Sequence, residues 1–203
     1  MMNTFGTFSI LAISKDCKLL GVAVASGSTA AGSRVPHAKP GVGVIATQAY
    51  TNVVYGVEGL KLLSDGLSPE DALKRLLAND CQKDLRQVAI MDFAGRKTVF
   101  TGNATPEKRG EIVGENFIVI GNFLRSEKVV ECMAKAFEES NENFASGLMA
   151  ALKAGSEKGG DMRGERSAAI IIVSLTKTEL KLKIDESEYP VQKLSKIIEK
   201  RLS

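Results

Sequence analysis

The chain has 203 residues, which is the size of one globular domain with a hydrophobic core of its own. Its composition of 44% hydrophobic and 25% charged residues is typical of a folded protein and excludes a disordered chain. The net charge is only +3 and no basic tract carries interleaved aromatic residues, so the sequence does not predict a nucleic-acid partner.

Cysteine usage and the N-terminal residues indicate the cellular setting. The cysteines Cys17, Cys81 and Cys132 are odd in number and widely spaced, which is typical of free thiols and not of a disulfide framework or a metal cluster. The first residues, MMNTFG, lack the basic and apolar regions of a signal peptide, and no apolar run approaches the roughly 18 residues of a membrane span. We therefore expect a cytoplasmic protein without a membrane partner, metal or other cofactor.

The first half of the chain begins with strands. The patterns predict strands at 7–13 and 19–26, joined by a short polar hairpin connection, and a third at 41–50. A helix is predicted over 53–64. A second helix opens at the capping signal Ser68-Pro69-Glu70-Asp71, where a serine precedes a proline and two acids.

The second half alternates between strands and a block of helices. A hairpin, RQVAIMD and RKTVFTG, precedes a strand at 115–122. Helical spacing of apolar residues predicts two consecutive helices, one around 129–137 and one around 144–152. A glycine-flanked loop leads into an apolar strand at 168–174, followed by the alternating strand ELKLKI and an amphipathic helix over the last 14 residues, PVQKLSKIIEKRLS.

These elements predict an α+β fold. Short hairpin connections imply antiparallel pairing and argue against a doubly wound parallel sheet, which needs crossover helices. The strand AAIIIV is apolar on both faces, so its sheet should be covered on both sides. We therefore predict a four-layer αββα sandwich of two antiparallel sheets, formed by one domain over residues 1–203.

The Gly6–Thr7 junction at the start of the first strand has two interpretations. Gly6 relaxes the backbone and Thr7 is an ordinary strand residue, or Thr7 is a catalytic residue exposed when the preceding peptide bond is cut. In the second case residues 1–6 are a short propeptide.

Seven sequence blocks stand out along the chain. In order, they are TFSILA, LGVAVAS, VPHAKPGVGVIATQAYTN, YGVEGLKLL, RQVAIMD, GN at 121–122 and GGDMRGERSAAIIIV. Together they resemble a bacterial and archaeal family grouped with the N-terminal nucleophile (Ntn) hydrolases, called domain of unknown function 1028. The resemblance covers nearly all of residues 7–175, and it implies the αββα fold but no substrate.

The resemblance gives Thr7 a definite chemistry. In Ntn hydrolases the first residue after processing is the nucleophile, and its own α-amine, with a pKa of about 7.7–8.0, is the general base. Lys39 follows Thr7 at a separation similar to that of the nucleophile–lysine pair in proteasome-type subunits, where the ammonium stabilises negative charge; alternatively, HAKPG is an exposed turn. Ser26 stands about where those subunits carry an aspartate.

Other polar residues at predicted strand ends and loops complete the candidate site. Asp161 could orient the amine of Thr7 while Arg163 binds an acidic group, with Ser167 beside them, or the Asp–Arg pair only fixes the loop. The amides of Gln48, Asn52 and Asn122 are suited to donate to a substrate carbonyl, and Asn52 is equally suited to cap the next helix.

The leading functional hypothesis is an Ntn-type amide hydrolase that acts on a small amide or peptide-like molecule through Thr7. The alternative is a non-catalytic protein that binds a small ligand in the same cleft, and we expect a homo-oligomer in either case. If the catalytic interpretation holds, Thr7, Ser26, Gln48 and Asn122 should converge at one end of the sandwich. Asp161 or Ser167 should then lie within hydrogen-bond reach of Thr7.

Overall fold

The computed structural model describes residues 6–140 and 143–202. Residues 1–5 of the candidate propeptide and Ser203 of the predicted terminal helix lie outside this part of the chain. The strands are β1 Thr7–Ile13, β2 Leu19–Ser26, β3 Pro36–Lys39, β4 Gly43–Ala49, β5 Arg86–Asp92, β6 Lys97–Thr101, β7 Gly110–Val113, β8 Phe117–Asn122, β9 Ser167–Ser174 and β10 Thr178–Ile184. The α-helices are α1 Val54–Ser64, α2 Pro69–Ala78, α3 Lys128–Glu139, α4 Phe144–Glu157 and α5 Pro190–Leu202.

The strands form two antiparallel sheets. The larger sheet has the order β10-β9-β2-β1-β8-β7, and the smaller has the order β3-β4-β5-β6. Alternate residues of a strand point to opposite faces of its sheet, so the side chains of β1 are divided between two apolar layers. Its Leu11 and Ile13 pack between the two sheets, whereas Phe8 and Ile10 pack on the helix side.

Three apolar layers separate four structural layers. Helices α3, α4 and α5 cover the outer face of the larger sheet, where Met133 and Leu148 belong to the same buried apolar cluster as Phe8. Helices α1 and α2 cover the smaller sheet, where Tyr55 and Leu73 pack with the strand residues. The prediction of an α+β, four-layer αββα sandwich is confirmed. In the described ranges, none of the helices combines the length and apolar character that crossing a membrane would require.

Two short strands were not predicted from the sequence. Strands β3 and β7 each have four residues and lie at sheet edges, where only one side pairs with a neighbour. The segment HAKPG, for which a turn was one interpretation, therefore begins with three strand residues of β3. The helix start at Ser68 is as predicted, because the Ser68 hydroxyl accepts a hydrogen bond from the Asp71 amide.

A buried ion pair fixes the start of β5. The Arg86 guanidinium donates to Asp80 at 2.8 Å and to the Tyr50 carbonyl at 2.6 Å, and both charged side chains are at most 11% exposed. Together with a hydrogen bond from the Tyr55 hydroxyl, Arg86 holds the pKa of Asp80 at about 2. The pair anchors the strand that carries Gln87 into the site described below.

Replacing Asp80 by asparagine should destabilise the fold by about 3 kcal/mol at neutral pH, because it leaves the Arg86 guanidinium buried without its counter-charge. The folded-state pKa is lowered, so the contribution of Asp80 is present above about pH 4 and is lost as the pH falls towards 2. Urea unfolding should show a difference between the two proteins that shrinks over that pH window.

Glu70→Gln is the matched control for the Asp80 variant. It removes one partner of the exposed Glu70–Lys74 pair and should change the free energy of unfolding by less than about 0.5 kcal/mol. An equal loss in both variants, or a difference from the unaltered protein that does not depend on pH, would contradict this account of the Asp80–Arg86 pair.

Candidate functional site

A row of polar side chains crosses one end of the larger sheet. The strand register places Ser167 opposite Ser26, Ser26 opposite Thr7, and Thr7 opposite Asn122. Directly paired residues of antiparallel strands point to the same face, so all four side chains face the smaller sheet. Each of the four residues is at most 3% exposed. The apolar layer between the sheets therefore ends in a buried polar row.

The carbonyl oxygen of Gly6 lies among three hydrogen-bond donors. The Ser26 hydroxyl donates to it at 2.6 Å, and the Thr7 hydroxyl oxygen lies 2.6 Å from the same atom. Arg163 Nη2 donates to it at 3.3 Å. The Thr7 and Ser26 hydroxyl oxygens are 3.1 Å apart. Since the Thr7 hydroxyl has one proton, its two acceptors are alternatives, the Gly6 carbonyl oxygen at 2.6 Å and Ser26 Oγ at 3.1 Å.

Asp161 holds the guanidinium of Arg163 in this position. Its two carboxylate oxygens accept from Arg163 Nε at 3.0 Å and Nη2 at 2.8 Å, and one also accepts from the Gly27 amide at 2.8 Å. Asp161 is fully buried, and the guanidinium lies 5.8 Å from the centre of the Phe123 ring. The Asp161–Arg163 pair therefore both fixes the loop and directs a cation at the Gly6 carbonyl.

The smaller sheet contributes two glutamines to the site. Gln48 Nε2 donates to the Thr7 carbonyl at 3.2 Å and to Gln87 Oε1 at 2.8 Å, while Ser9 donates to Gln48 Oε1 at 2.6 Å. Asn122 Nδ2 donates to the same Gln87 oxygen at 3.0 Å. Buried amides must find partners, and here they find them across the two sheets. Among the residues that the structure describes, none forms a hydrogen bond with Asn122 Oδ1.

Sequence reasoning missed Ser9 and Gln87. Each is a polar residue inside a strand whose residues are all buried. The sequence shows the polar residue within the apolar run, but not its burial. A serine within TFSILAI or a glutamine within RQVAIMD is nevertheless common in strands, and only the pairing of the two sheets shows that these side chains meet.

The backbone next to the polar cluster is strained. Ala49 follows Gln48 with φ = 67°, and Phe123 follows Asn122 with φ = 52°. Side chains other than glycine rarely adopt this left-handed region, and such strain concentrates at functional sites. The strain adds an independent reason to regard this end of the sandwich as the functional end.

Lys39 does not join the cluster. It pairs with Gly43 at the beginning of β4, whereas Gln48 lies near the opposite end of that strand. The Lys39 ammonium donates to the Ser64 hydroxyl at 2.8 Å in an exposed position. A similar sequence separation does not place it beside Thr7, because the β3–β4 hairpin carries Lys39 to the other end of the smaller sheet. The cation at the Gly6 carbonyl is Arg163.

Asn52 and Ser167 form hydrogen bonds outside the polar cluster around Thr7. Asn52 Oδ1 accepts from the Val54 amide at 3.1 Å at the start of α1, which is the capping alternative. Ser167 donates to the Ser28 carbonyl at 2.6 Å and accepts from the Ala31 amide at 3.1 Å. Because Ser26 lies between Ser167 and Thr7 in the sheet, Ser167 supports the loop after β2 and not Thr7.

A second carboxyl group lies behind Asp161. Glu165 accepts from the Asp161 amide at 3.2 Å and from the Ser156 hydroxyl at 2.9 Å. Burial raises the pKa of Glu165 above its ordinary value, and the neighbouring Asp161 carboxylate adds to the effect. No group of three or more His, Cys, Asp or Glu side chains in the described ranges is arranged to hold a metal ion.

The observations define an αββα sandwich of two antiparallel sheets with a buried polar cluster around Thr7, at the start of its first strand. The chain belongs to DUF1028, a family of unknown function whose model matches residues 7–194. That match begins at Thr7.

Solved structures extend the comparison. The crystal structure of SPO2555 from Silicibacter pomeroyi, a DUF1028 protein, is similar with a TM-score of 0.90 and 32% identity, over 98% of this chain and 87% of that one. Anbu, the ancestral β-subunit from Yersinia bercovieri, has a TM-score of 0.44 and 12% identity over 97% of this chain and 94% of its own. No curated protein matches the chain.

Proposed function

We propose that this protein is an Ntn-type amide hydrolase whose nucleophile is Thr7, freed by cleavage of the Gly6–Thr7 bond. The observation that carries the proposal is the environment of the Gly6 carbonyl, with Thr7 Oγ1 at 2.6 Å, Ser26 Oγ at 2.6 Å and Arg163 Nη2 at 3.3 Å. Acyl transfer needs a nucleophile and preorganised donors around one carbonyl.

The first step is cleavage within the chain. Thr7 Oγ1 attacks the carbonyl carbon of Gly6, and the developing oxyanion is stabilised by the Ser26 hydroxyl and the Arg163 guanidinium. The carbon–nitrogen bond breaks as the proton of the Thr7 hydroxyl is transferred to the Thr7 nitrogen. The product is an ester between Gly6 and Thr7 Oγ1 together with a free α-amine. Water then hydrolyses the ester to a Gly6 carboxylate and the Thr7 hydroxyl.

The second step repeats this chemistry on a substrate. The freed α-amine, with an ordinary pKa of about 7.7–8.0, takes the proton of the Thr7 hydroxyl as it attacks the substrate carbonyl. The amine of the substrate leaves with that proton, and water releases the acyl group from Thr7. Gln48 holds the Thr7 carbonyl from the opposite sheet and so keeps the residue in place.

The substrate class in this proposal is a small amide or peptide-like molecule. Thr7 supplies both the nucleophile and the base, so the mechanism calls for no metal or other cofactor. A homo-oligomeric assembly and a cytoplasmic location stay predictions. A second candidate, a non-catalytic ligand-binding protein, is favoured by the burial of Thr7, which is only 3% exposed before any cut.

An acylation experiment tests the proposed function. A chain that starts Met-Thr7, from which the cell removes the methionine, is treated with p-nitrophenyl acetate and analysed by peptide mass spectrometry. We expect a burst of one equivalent of p-nitrophenol and one acetyl group on residue 7. Thr7→Val in the same shortened chain is the matched control, because it keeps the shape and the α-amine but lacks the hydroxyl. Equal acetylation of residue 7 in both chains, or none in either, would contradict the proposed function.

A further inference from the structure

The space beside Gly6 is closed by the carboxylate of Asp161. A Cβ atom of L configuration at residue 6 would lie 2.4 Å from Asp161 Oδ2, 2.7 Å from Cγ and 2.9 Å from Oδ1. These separations are shorter than any ordinary contact of a Cβ atom. The carbon that precedes the carbonyl therefore has room for a hydrogen atom in this direction and for nothing larger.

Asp161 cannot readily move away from Gly6. Both of its oxygens are held by the bidentate pair with Arg163, and one oxygen also accepts from the Arg163 amide at 2.9 Å. The other oxygen accepts from the Gly27 amide, and Gly27 closes on the carboxylate from another side, where a Cβ would lie 2.7 Å from Asp161 Cγ. A shift of Asp161 would break a fully buried ion pair, which is costly.

Cleavage in the chain and hydrolysis of a substrate pass through the same kind of ester. In the first case Thr7 Oγ1 carries the acyl group that ends in Gly6, and in the second it carries the acyl group of the substrate. In both cases the carbonyl oxygen must accept from the same donors, Ser26 and Arg163. The α-carbon of the acyl group therefore lies against the same Asp161 carboxylate. The constraint observed at Gly6 therefore carries over to the substrate.

We infer that Asp161 restricts the processed site to acyl groups whose α-carbon bears no L side chain, such as glycyl groups and simple unbranched acyl groups. This inference rests on the proposed function of Thr7. It makes Asp161 a specificity-determining residue in addition to the partner of Arg163. The substrate class narrows from small amides in general to amides of glycine-like or unbranched carboxylic acids.

A competition experiment tests the inference. The processed chain that begins at Thr7 is incubated with equal amounts of the phenyl esters of N-acetylglycine and N-acetyl-L-alanine, and the acyl group on residue 7 is identified by mass. Hydrolysis of each ester by hydroxide alone gives the correction for intrinsic reactivity. After that correction, we expect the glycyl group to be preferred on the order of tenfold to a hundredfold, the range expected for forcing one methyl group into a packed site.

The outcomes separate the two proposals. A preference for the glycyl group supports the inference. Equal transfer of both groups to Thr7 would overturn the inference and leave the proposed function standing. Transfer of neither group to Thr7 would overturn the proposed function and the inference with it.

Discussion

Replacing Thr7 by alanine should leave the Gly6–Thr7 bond intact and lower amide hydrolysis by at least about four orders of magnitude, because loss of a nucleophile removes the covalent route altogether. The fold should be retained, since Thr7 loses only a hydroxyl and a methyl group at the end of a strand whose other residues are unchanged. Intact-mass spectrometry of the full chain reports the cleavage, and circular dichroism reports the fold.

Thr7→Ser is the matched control for this variant. It keeps the hydroxyl that lies 2.6 Å from the Gly6 carbonyl oxygen, so it should retain cleavage at a reduced rate. A cut between residues 6 and 7 that persists in Thr7→Ala would show that another protease makes it, and self-processing would then be wrong.

Removing the Ser26 hydroxyl should slow cleavage of the Gly6–Thr7 bond by about a hundred- to a thousandfold. Ser26→Ala deletes a donor that lies 2.6 Å from the carbonyl oxygen, and loss of one such donor has an effect of this size in acyl-transfer enzymes. The rate can be followed by intact mass after synthesis in a cell-free system.

Ser195→Ala is the control for the Ser26 variant. Ser195 is also a buried serine, but it lies in α5 and donates to Glu199, away from the polar row. Its loss should leave the cleavage rate unchanged. Equal rates in Ser26→Ala and the unaltered protein would mean that the Ser26 hydroxyl does not take part in the reaction.

The sequence predicted the layers of the fold because each layer leaves a local pattern. Hairpin connections, the alternation in ELKLKI and the two-faced strand AAIIIV each follow from the chemistry of neighbouring residues. Strands β3 and β7 leave weaker patterns, because a four-residue edge strand pairs on one side only.

The candidate site was predictable only in part, because it depends on the register between distant strands. Polar residues at strand ends indicated Ser26, Gln48 and Asn122, and the antiparallel order brings these ends together at Thr7. The expectation for Lys39 rested on a sequence separation, which says nothing about the end of the sheet to which a hairpin carries a residue. Likewise, no local pattern shows that Gln87 bridges to Asn122.

The hydrogen bonds among Gln48, Gln87 and Asn122 have a mechanical consequence for the whole sandwich. They join the two sheets by directional bonds beside Thr7, and the layer next to them is filled by apolar side chains such as those of Leu11 and Met91. Directional bonds fix a spacing to within a few tenths of an ångström, while apolar side chains can repack with little loss. A substitution that changes the volume of the apolar layer should therefore alter the spacing of the sheets less at the amide cluster, beside Thr7, than in the middle of the layer.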